Sequence, residues 1–442
     1  MMGERLPLLR RLPTGRLARG FVLTAGVKLA AMGLTLSLQW VLVRLLGTRG
    51  YGDFTYAVTW YGAILAVVAF GLQEATVRFV AEYRARRDAA GLRGFLAWSR
   101  RRALALGLAA AAGGLGAAAL LGRSGHSALA ATAVPVALAL APGAMLLLTG
   151  ALLRAEERFV PAQAPVQVVQ PAVVMALAWL AVSRLGLRAA ASTAGWAFLV
   201  AVVAAYCTSS ALAAPSLRRL GAGEARREPR RWREATVHLV GLAVVPLLAR
   251  TDVMMLGALA GTREAGIYAA AVHLATVIET GFNLLTSVTM ARIAALHAAD
   301  DRRGLARLMR PFSAAAAATA VPVAAVLVVA GGPVLSLFGA DFVAARLPLA
   351  VLALGGLIHV LTGPVARLLT MTGHHRPALR LMIAAAVANL VLNALLIPPL
   401  GALGAAAATA SAMVATKIAG VILVRRRLGI DPTVMSLLRR RA

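Results

Sequence analysis

The chain has 442 residues, 60% of them hydrophobic and 14% charged, with a mean hydropathy of +0.79 and a formal net charge of +29. That composition excludes a water-soluble globule and describes a polytopic membrane protein. The charge alone would suit a nucleic-acid binder. The basic residues, however, gather in alternate loops, as at Arg100–Arg102, 215–234 and Arg425–Arg427, which is the positive-inside pattern and needs no nucleic-acid partner.

The first twenty residues carry five arginines and run into an apolar stretch with no small-residue cleavage site, which predicts an uncleaved signal-anchor. From there the pattern predicts twelve spans, at 20–46, 51–79, 98–121, 128–153, 163–184, 190–213, 235–260, 265–291, 311–338, 345–371, 378–398 and 401–424. Each is long enough to cross roughly 30 Å of hydrocarbon as a helix. The runs are continuously apolar, whereas a membrane strand alternates apolar and polar residues, so helices are predicted and a barrel is not. Basic loops at both ends and between even- and odd-numbered spans place both termini in the cytoplasm.

Span 1 carries Thr24, Lys28, Thr35 and Gln39 within about 60° of one another at ~100° per residue. Span 2 ends with Glu74 and Arg78 on one i, i+4 face, either a structural pair or a gate at the inner end. The single cysteine, Cys207, lies in an apolar span, so neither a disulfide framework nor a cysteine metal site is expected. The basic segment 215–234 then separates two sets of six spans. This gives a domain plan of an N-lobe over 1–214, a linker over 215–234, a C-lobe over 235–424 and a basic tail over 425–442.

In span 7, Arg250 and Asp252 are two residues apart and so about 200° apart around a helix. One is expected to face a cavity and the other a neighbouring helix, in an order the spacing leaves open. Span 8 carries His273, Thr276, Glu279, Thr280, Asn283, Thr286 and Ser287 over about 140° of its circumference. Asn389 and Asn393 make a shorter stripe in span 11, and Lys417 in span 12 is close enough to the inner face to snorkel. Lys28, Arg250, Asp252, Glu279 and Lys417 facing lipid would together cost roughly 12–18 kcal/mol on insertion scales. The polar stripes therefore either line a wet cavity or bond helix to helix. Lys28 and Arg250 are the candidate pyrophosphate ligands, Glu279 and Asp252 the candidates for proton or sodium coupling.

The phrase GTRGYGDFTYAV at 47–58 returns as GTREAGIYAAAV at 261–272. One offset of 214 residues pairs Gly47 with Gly261, Arg49 with Arg263 and Gly52 with Gly266, and carries Arg78 onto Arg292; Pro161–Ala162 returns at Pro377–Ala378. An internal duplication follows. Six spans per copy is an even number, so both copies enter the membrane in the same orientation, as parallel repeats suited to alternating access.

The segments LLGTRGYGDFTYAV, GLQEATVRFVAEYRAR at 71–86 and RTDVMMLGALAGTREAGIYAAAVHLA at 250–275 resemble the polysaccharide (Wzx-like O-antigen) flippase branch of the multidrug/oligosaccharidyl-lipid/polysaccharide exporter superfamily. The resemblance runs from Lys28 to about Gly429. It implies an all-α protein of two six-helix lobes in the bacterial inner membrane that turns a polyprenyl-pyrophosphate-linked oligosaccharide to the outer leaflet, with glycan-assembly proteins as candidate partners. Relatives often have a proline near Ala291, where this chain has none, so the kink it would give is not expected here. A multidrug/cation antiporter shares the superfamily but commonly offers a carboxylate in its first helix, where this chain has Lys28. A membrane polymerase or ligase would want a long outward loop, and a non-transporting scaffold is the remaining alternative. No zinc cluster, GK[ST] loop or nucleophile elbow appears in the sequence, so neither an enzyme nor a cofactor is expected.

Overall fold

The computed structural model describes residues 16–184, 186, 190–221, 223–240 and 250–437, and among them every regular element is helical. Hydrocarbon offers no partner for backbone N–H and C=O groups, and a helix satisfies them within one segment. Among the described residues seven helices are long and apolar enough to cross a membrane, up to nine when two bent pairs each make one span.

The two longest helices each contain two of the predicted spans. α1 (Arg16–Ala85) breaks at Gly47 and the last helix, α16 (His375–Leu428), breaks at Gly401. Both breaks are reversals. In a straight helix residues 12 apart lie about 18 Å apart and residues 20 apart about 30 Å. Yet the Tyr51 hydroxyl donates to Gln39 Oε1 at 2.6 Å, and Asn389 Nδ2 donates to Thr409 Oγ1 at 3.1 Å.

Between them run α2 (Ala89–Arg123), the pair α3 (Ser127–Leu138) and α4 (Leu140–Ala155) bent by 40°, and α5 (Phe159–Ala164), which continues through a π turn into α6 (Gln170–Ser183). α7 (Ala191–Arg218) follows, then α8 (Pro229–Val240) and α9 (Thr251–Leu259); residues 241–249 of predicted span 7 lie outside the described residues. The remaining helices are α10 (Thr262–Ala275), α11 (Ile278–Ala298), α12 (Arg302–Val329), α13 (Gly331–Ser336), α14 (Arg346–Leu361) and α15 (Val365–Met371).

Four spans predicted as continuous are interrupted among the described residues: the fourth at Ala139, the eighth between Ala275 and Ile278, the ninth at Ala330, and the tenth between Leu361 and Val365. The eighth bends by 49° with neither proline nor glycine at the break. Its cause is local bonding. The Thr276 hydroxyl donates to the His273 carbonyl at 2.7 Å, and the next amides, Val277 and Glu279, close short bonds to Leu274 and Thr276, tightening the helix there. At Ala291 the helix runs on without interruption to Ala298.

The duplication is written most plainly in the turns. Gly47 and Gly261, Arg87 and Asp300, Gly125 and Gly339, Glu157 and Gly373, and Gly186 and Gly401 all have positive φ, in pairs 213 to 216 residues apart. Hydrogen bonds repeat with them. Asp88 caps α2 by accepting Gly91 N–H at 2.8 Å, and Asp301 caps α12 by accepting Gly304 N–H at 2.6 Å. Asp88 N–H bonds the Tyr83 carbonyl as Asp301 N–H bonds that of Leu296, and Arg158 N–H bonds Leu153 as His374 N–H bonds Leu369.

The chain forms two compact units, Val27–Gly266 and Ile267–Ala442 with Met1–Gly26. Within the first, the two copies of the repeated phrase touch: a Cβ at Gly266 would stand 2.6 Å from Gly52 Cα, and one at Gly52 would fall on the Thr262 carbonyl. Gly52 and Gly266, at the same place in each phrase, are glycine because backbone meets backbone.

Also in this unit, the basic segment after α7 is docked on the helix ends. Trp232 is 1% exposed in a cluster with Phe79, Tyr83, Phe95 and Leu153. Its indole donates to the Tyr83 hydroxyl at 2.9 Å, which donates to Glu228 at 3.2 Å. Arg226 pairs with Asp88 and, at 2.8 Å, with Glu228; Arg231 pairs with Glu82 and, at 3.0 Å, with Glu228.

Candidate functional site

In the unit Val27–Gly266, Lys28 is half-buried on α1, without a hydrogen bond or ion pair among the described residues. Thr35 returns its hydroxyl to the Ala31 carbonyl at 2.8 Å, and Gln39 accepts the Tyr51 hydroxyl across the Gly47 reversal. The side chain of Thr24 lies outside the described residues. Glu74 and Arg78 are both exposed at the end of α1 and make no ion pair with each other; Arg78 instead lies over the Phe79 ring at 5.7 Å.

Arg250 and Asp252 differ in burial. Asp252 is 6% exposed and its carboxylate accepts the Val253 N–H at 2.8 Å, whereas Arg250, at the cap of α9, is exposed. Its guanidinium lies against α1 at Gly62, where a Cβ would stand 3.0 Å from Nη1. A glycine here lets the flat cation lie on the helix backbone. A guanidinium so placed presents a fork matched to phosphate oxygens.

In the unit Ile267–Ala442, the stripe of span 8 starts at the break. Thr276, Asn283 and Ser287 are exposed, His273, Glu279 and Thr280 half-buried, and Thr286 buried. The hydroxyls of Thr286 and Ser287 turn back to carbonyls of their own helix at 2.7 Å, the usual way a hydroxyl is accommodated among lipids and apolar side chains.

Glu279 has Lys417 of α16 as its electrostatic partner, short of a direct ion pair. The Lys417 ammonium reaches the Gly363 carbonyl at 3.5 Å and lies 5.8 Å from the centre of the Phe282 ring. His359 of α14 also meets this group, its ring 5.5 Å from that of Phe282 and its buried Nδ1 without a hydrogen-bond partner among the described residues. The structure thus gathers Glu279, Lys417 and His359 from three helices. His359 carries no sequence signal, being one histidine in a run of apolar residues. Asn389 and Asn393 are joined differently: Asn393, fully buried, donates to Asn389 Oδ1 at 3.0 Å, and Asn389 donates across the Gly401 reversal. That pair bonds helix to helix. No group of three metal-ligating side chains occurs among the described residues.

Solved structures similar to this chain are transporters. The inward-facing conformation of a multidrug resistance MATE family transporter of the MOP superfamily is 16% identical, with 92% of this chain and 98% of that one covered and a TM-score of 0.71. The outward-facing conformation of such a transporter gives 16%, 94%, 97% and 0.65, and a MOP superfamily transporter from Pyrococcus furiosus described by the reverse polarity of its binding pocket gives 17%, 90%, 95% and 0.58. Likeness at this identity fixes the fold: an all-α polytopic membrane protein of about twelve transmembrane helices in two six-helix lobes related by a parallel repeat, the fold of the MOP exporters. The family model for Polysaccharide biosynthesis protein matches residues 17–297, more than half of the chain, and the chain belongs to that family. No curated protein sequence matches it.

Proposed function

We propose that the protein is a flippase that moves a polyprenyl-pyrophosphate-linked oligosaccharide from the inner to the outer leaflet of a bacterial plasma membrane by alternating access, with both termini cytoplasmic. The observation that carries the reading is the polarity at Arg250. In the first unit the nearby carboxylate, Asp252, is buried and occupied by a backbone amide, while Arg250 is an exposed residue whose guanidinium lies against α1. Such a surface favours an anion, and the family supplies the glycan context. Lys28 is assigned as a second cation for the pyrophosphate. Thr35, Thr276, Thr280, Asn283 and Ser287 are assigned to the sugars. The lobes are taken as 1–214 and 235–424, joined by the docked segment 215–234. Transport itself requires no bond-making chemistry, so the protein is a transporter and not an enzyme in this reading.

Outward movement of an anion is downhill in the membrane potential by about 2.3 kcal/mol per charge per 100 mV. Glu279 is the residue assigned to any proton or sodium coupling. The second reading, a cation antiporter, draws on that same carboxylate and on the MATE transporters that share the fold. The test is leaflet inversion of a labelled polyprenyl-pyrophosphate oligosaccharide in proteoliposomes. Wild type should accelerate inversion, Arg250→Ala and Lys28→Ala should slow it, and Glu279→Gln should change its pH dependence. Normal inversion with both cations removed would end the pyrophosphate assignment; ion-driven efflux of a cationic dye without lipid inversion would establish the antiporter.

A further inference from the structure

The repeated phrase builds something besides a helix contact. In the unit Val27–Gly266, the turns at Gly47, Gly125 and Gly261 enclose a cup of about 640 Å³, lined by both arginines of the duplicated triplet, Arg49 and Arg263, with His126. All three side chains are exposed. The one carboxylate in the lining, Asp53, is 6% exposed and accepts the Thr262 hydroxyl at 2.6 Å. Two guanidinium groups and an imidazole therefore face a cup whose acid is turned inward.

The cup continues into a trough. A second cavity of about 840 Å³ shares Tyr56, Leu121 and Leu129 with it and is walled by Trp60, Ala117 and Leu120. Its size lies toward the upper end of the roughly 300–1,000 Å³ of ordinary ligand pockets. Trp60 stands thirteen residues beyond Gly47, about 20 Å along the helix, so the trough descends well into the bilayer from the cup. Gly113 in its wall faces open space.

We propose that this cleft binds the pyrophosphate-linked isoprenoid at the outer face, with the pyrophosphate between Arg49 and Arg263 and the hydrocarbon tail along the trough. The inference rests on the flippase reading and on its topology, in which the three turns follow odd-numbered spans and share the face opposite the basic loops. A cationic cup joined to an apolar trough matches a molecule that is anionic at one end and hydrocarbon at the other. It is a site separate from Arg250 and assigns a binding role to both copies of the repeated triplet.

The test uses the full chain in phosphatidylcholine nanodiscs and a polyprenyl pyrophosphate carrying a photoreactive group on its tail, with cross-links mapped by mass spectrometry. Labelling is expected on the segments containing Tyr56, Trp60 and Leu120, to be competed by unlabelled polyprenyl pyrophosphate, and to fall at least about tenfold in Arg49→Gln/Arg263→Gln, since charge-assisted contacts to the phosphates are lost. Gly113→Leu, which enters open space, should remove trough labelling while helix content and thermal stability stay as in wild type. Equal competition by phosphatidylglycerol would make the cleft a general anionic-lipid site, equal competition by inorganic pyrophosphate would make it a soluble-anion site, and labelling elsewhere would place the lipid on another face; each overturns the proposal. Leaflet inversion by the wild type is scored separately. Absence of inversion with trough labelling intact would bring down the flippase reading and leave the binding site standing.

Discussion

The turn after span 2 and the turn after span 8 are the same backbone device, differently supported. Each has a residue at positive φ, an aspartate capping the next helix and a glycine three residues on. The first, at 83–92, is covered by the segment 220–232, with Trp232 buried and Arg226 and Arg231 paired to three carboxylates. The second, at 296–305, has among the described residues only the exposed Arg302–Asp300 pair at 3.6 Å. One position separates them most clearly. Gly94 is where a Cβ would fall on the Arg226 carbonyl, and the residue 213 positions later is the exposed Arg307. Duplication therefore preserved the turn, while the chain that follows the first copy determined what packs on it.

The largest effect should come from removing the anchor itself. Trp232→Ala leaves a cavity among Phe79, Phe95 and Tyr83 and should cost about 3–5 kcal/mol, read as a lower melting temperature in detergent together with new proteolysis within 215–234. In the second copy Leu305→Ala, at a 3% exposed position, should destabilise without touching that cleavage. If both variants released the linker, the contrast between the turns would be lost.

Gly94→Ala should follow, at about 1–3 kcal/mol for overpacking against a backbone carbonyl, with Arg307→Ala close to neutral in the same melt. Next come the caps. Asp301→Ala should cost about 1 kcal/mol, and Asp88→Ala should lower the melting temperature further because it also removes the partner of Arg226.

The smallest expected effect is acid sensitivity confined to the first turn. The Gly91 amide, and after it Arg226, holds the Asp88 carboxyl below its ordinary value of 3.8, and Arg231 and then Arg226 hold Glu228 below 4.5. Folded values below unfolded ones contribute stability that is complete above pH 4.5 and is lost as pH falls through the lowered values. Hydrogen-exchange protection within 226–232, relative to the intrinsic rate at each pH, should therefore fall below about pH 4.5, and raised salt should weaken the dependence because these pairs are solvent-screened. A flat profile down to pH 3 would show that Trp232 burial alone holds the segment.

Much of this architecture was legible in the primary structure. Twelve apolar runs, the alternation of basic loops and the repeated GTR phrase predict the helices, their number and the duplication, because span length and charge placement answer to the bilayer. The conserved geometry at Asp88–Gly91 and Asp301–Gly304 was not recognised in advance, since DAAG and DRRG share only two letters in a background rich in alanine and arginine. The break at Thr276 was missed for a different reason: it carries no proline or glycine, and arises from a hydroxyl competing for a helix carbonyl. Gln39 and Asn393 were placed on wet stripes by periodicity. Periodicity gives a direction around one helix, and the Gly47 and Gly401 reversals put another helix in that direction.

By itself the sequence determined an all-helical, duplicated membrane protein, because hydrophobic length, charge asymmetry and repeat spacing are properties of a line of residues. Tertiary structure alone decided that Asp252 is buried while Arg250 is exposed, that Glu279, Lys417 and His359 gather from three helices, and that Arg49 and Arg263 share one cup across two hundred residues of chain. Those facts depend on which helix faces are brought together, and a one-dimensional pattern carries the period of a face without the identity of its neighbour.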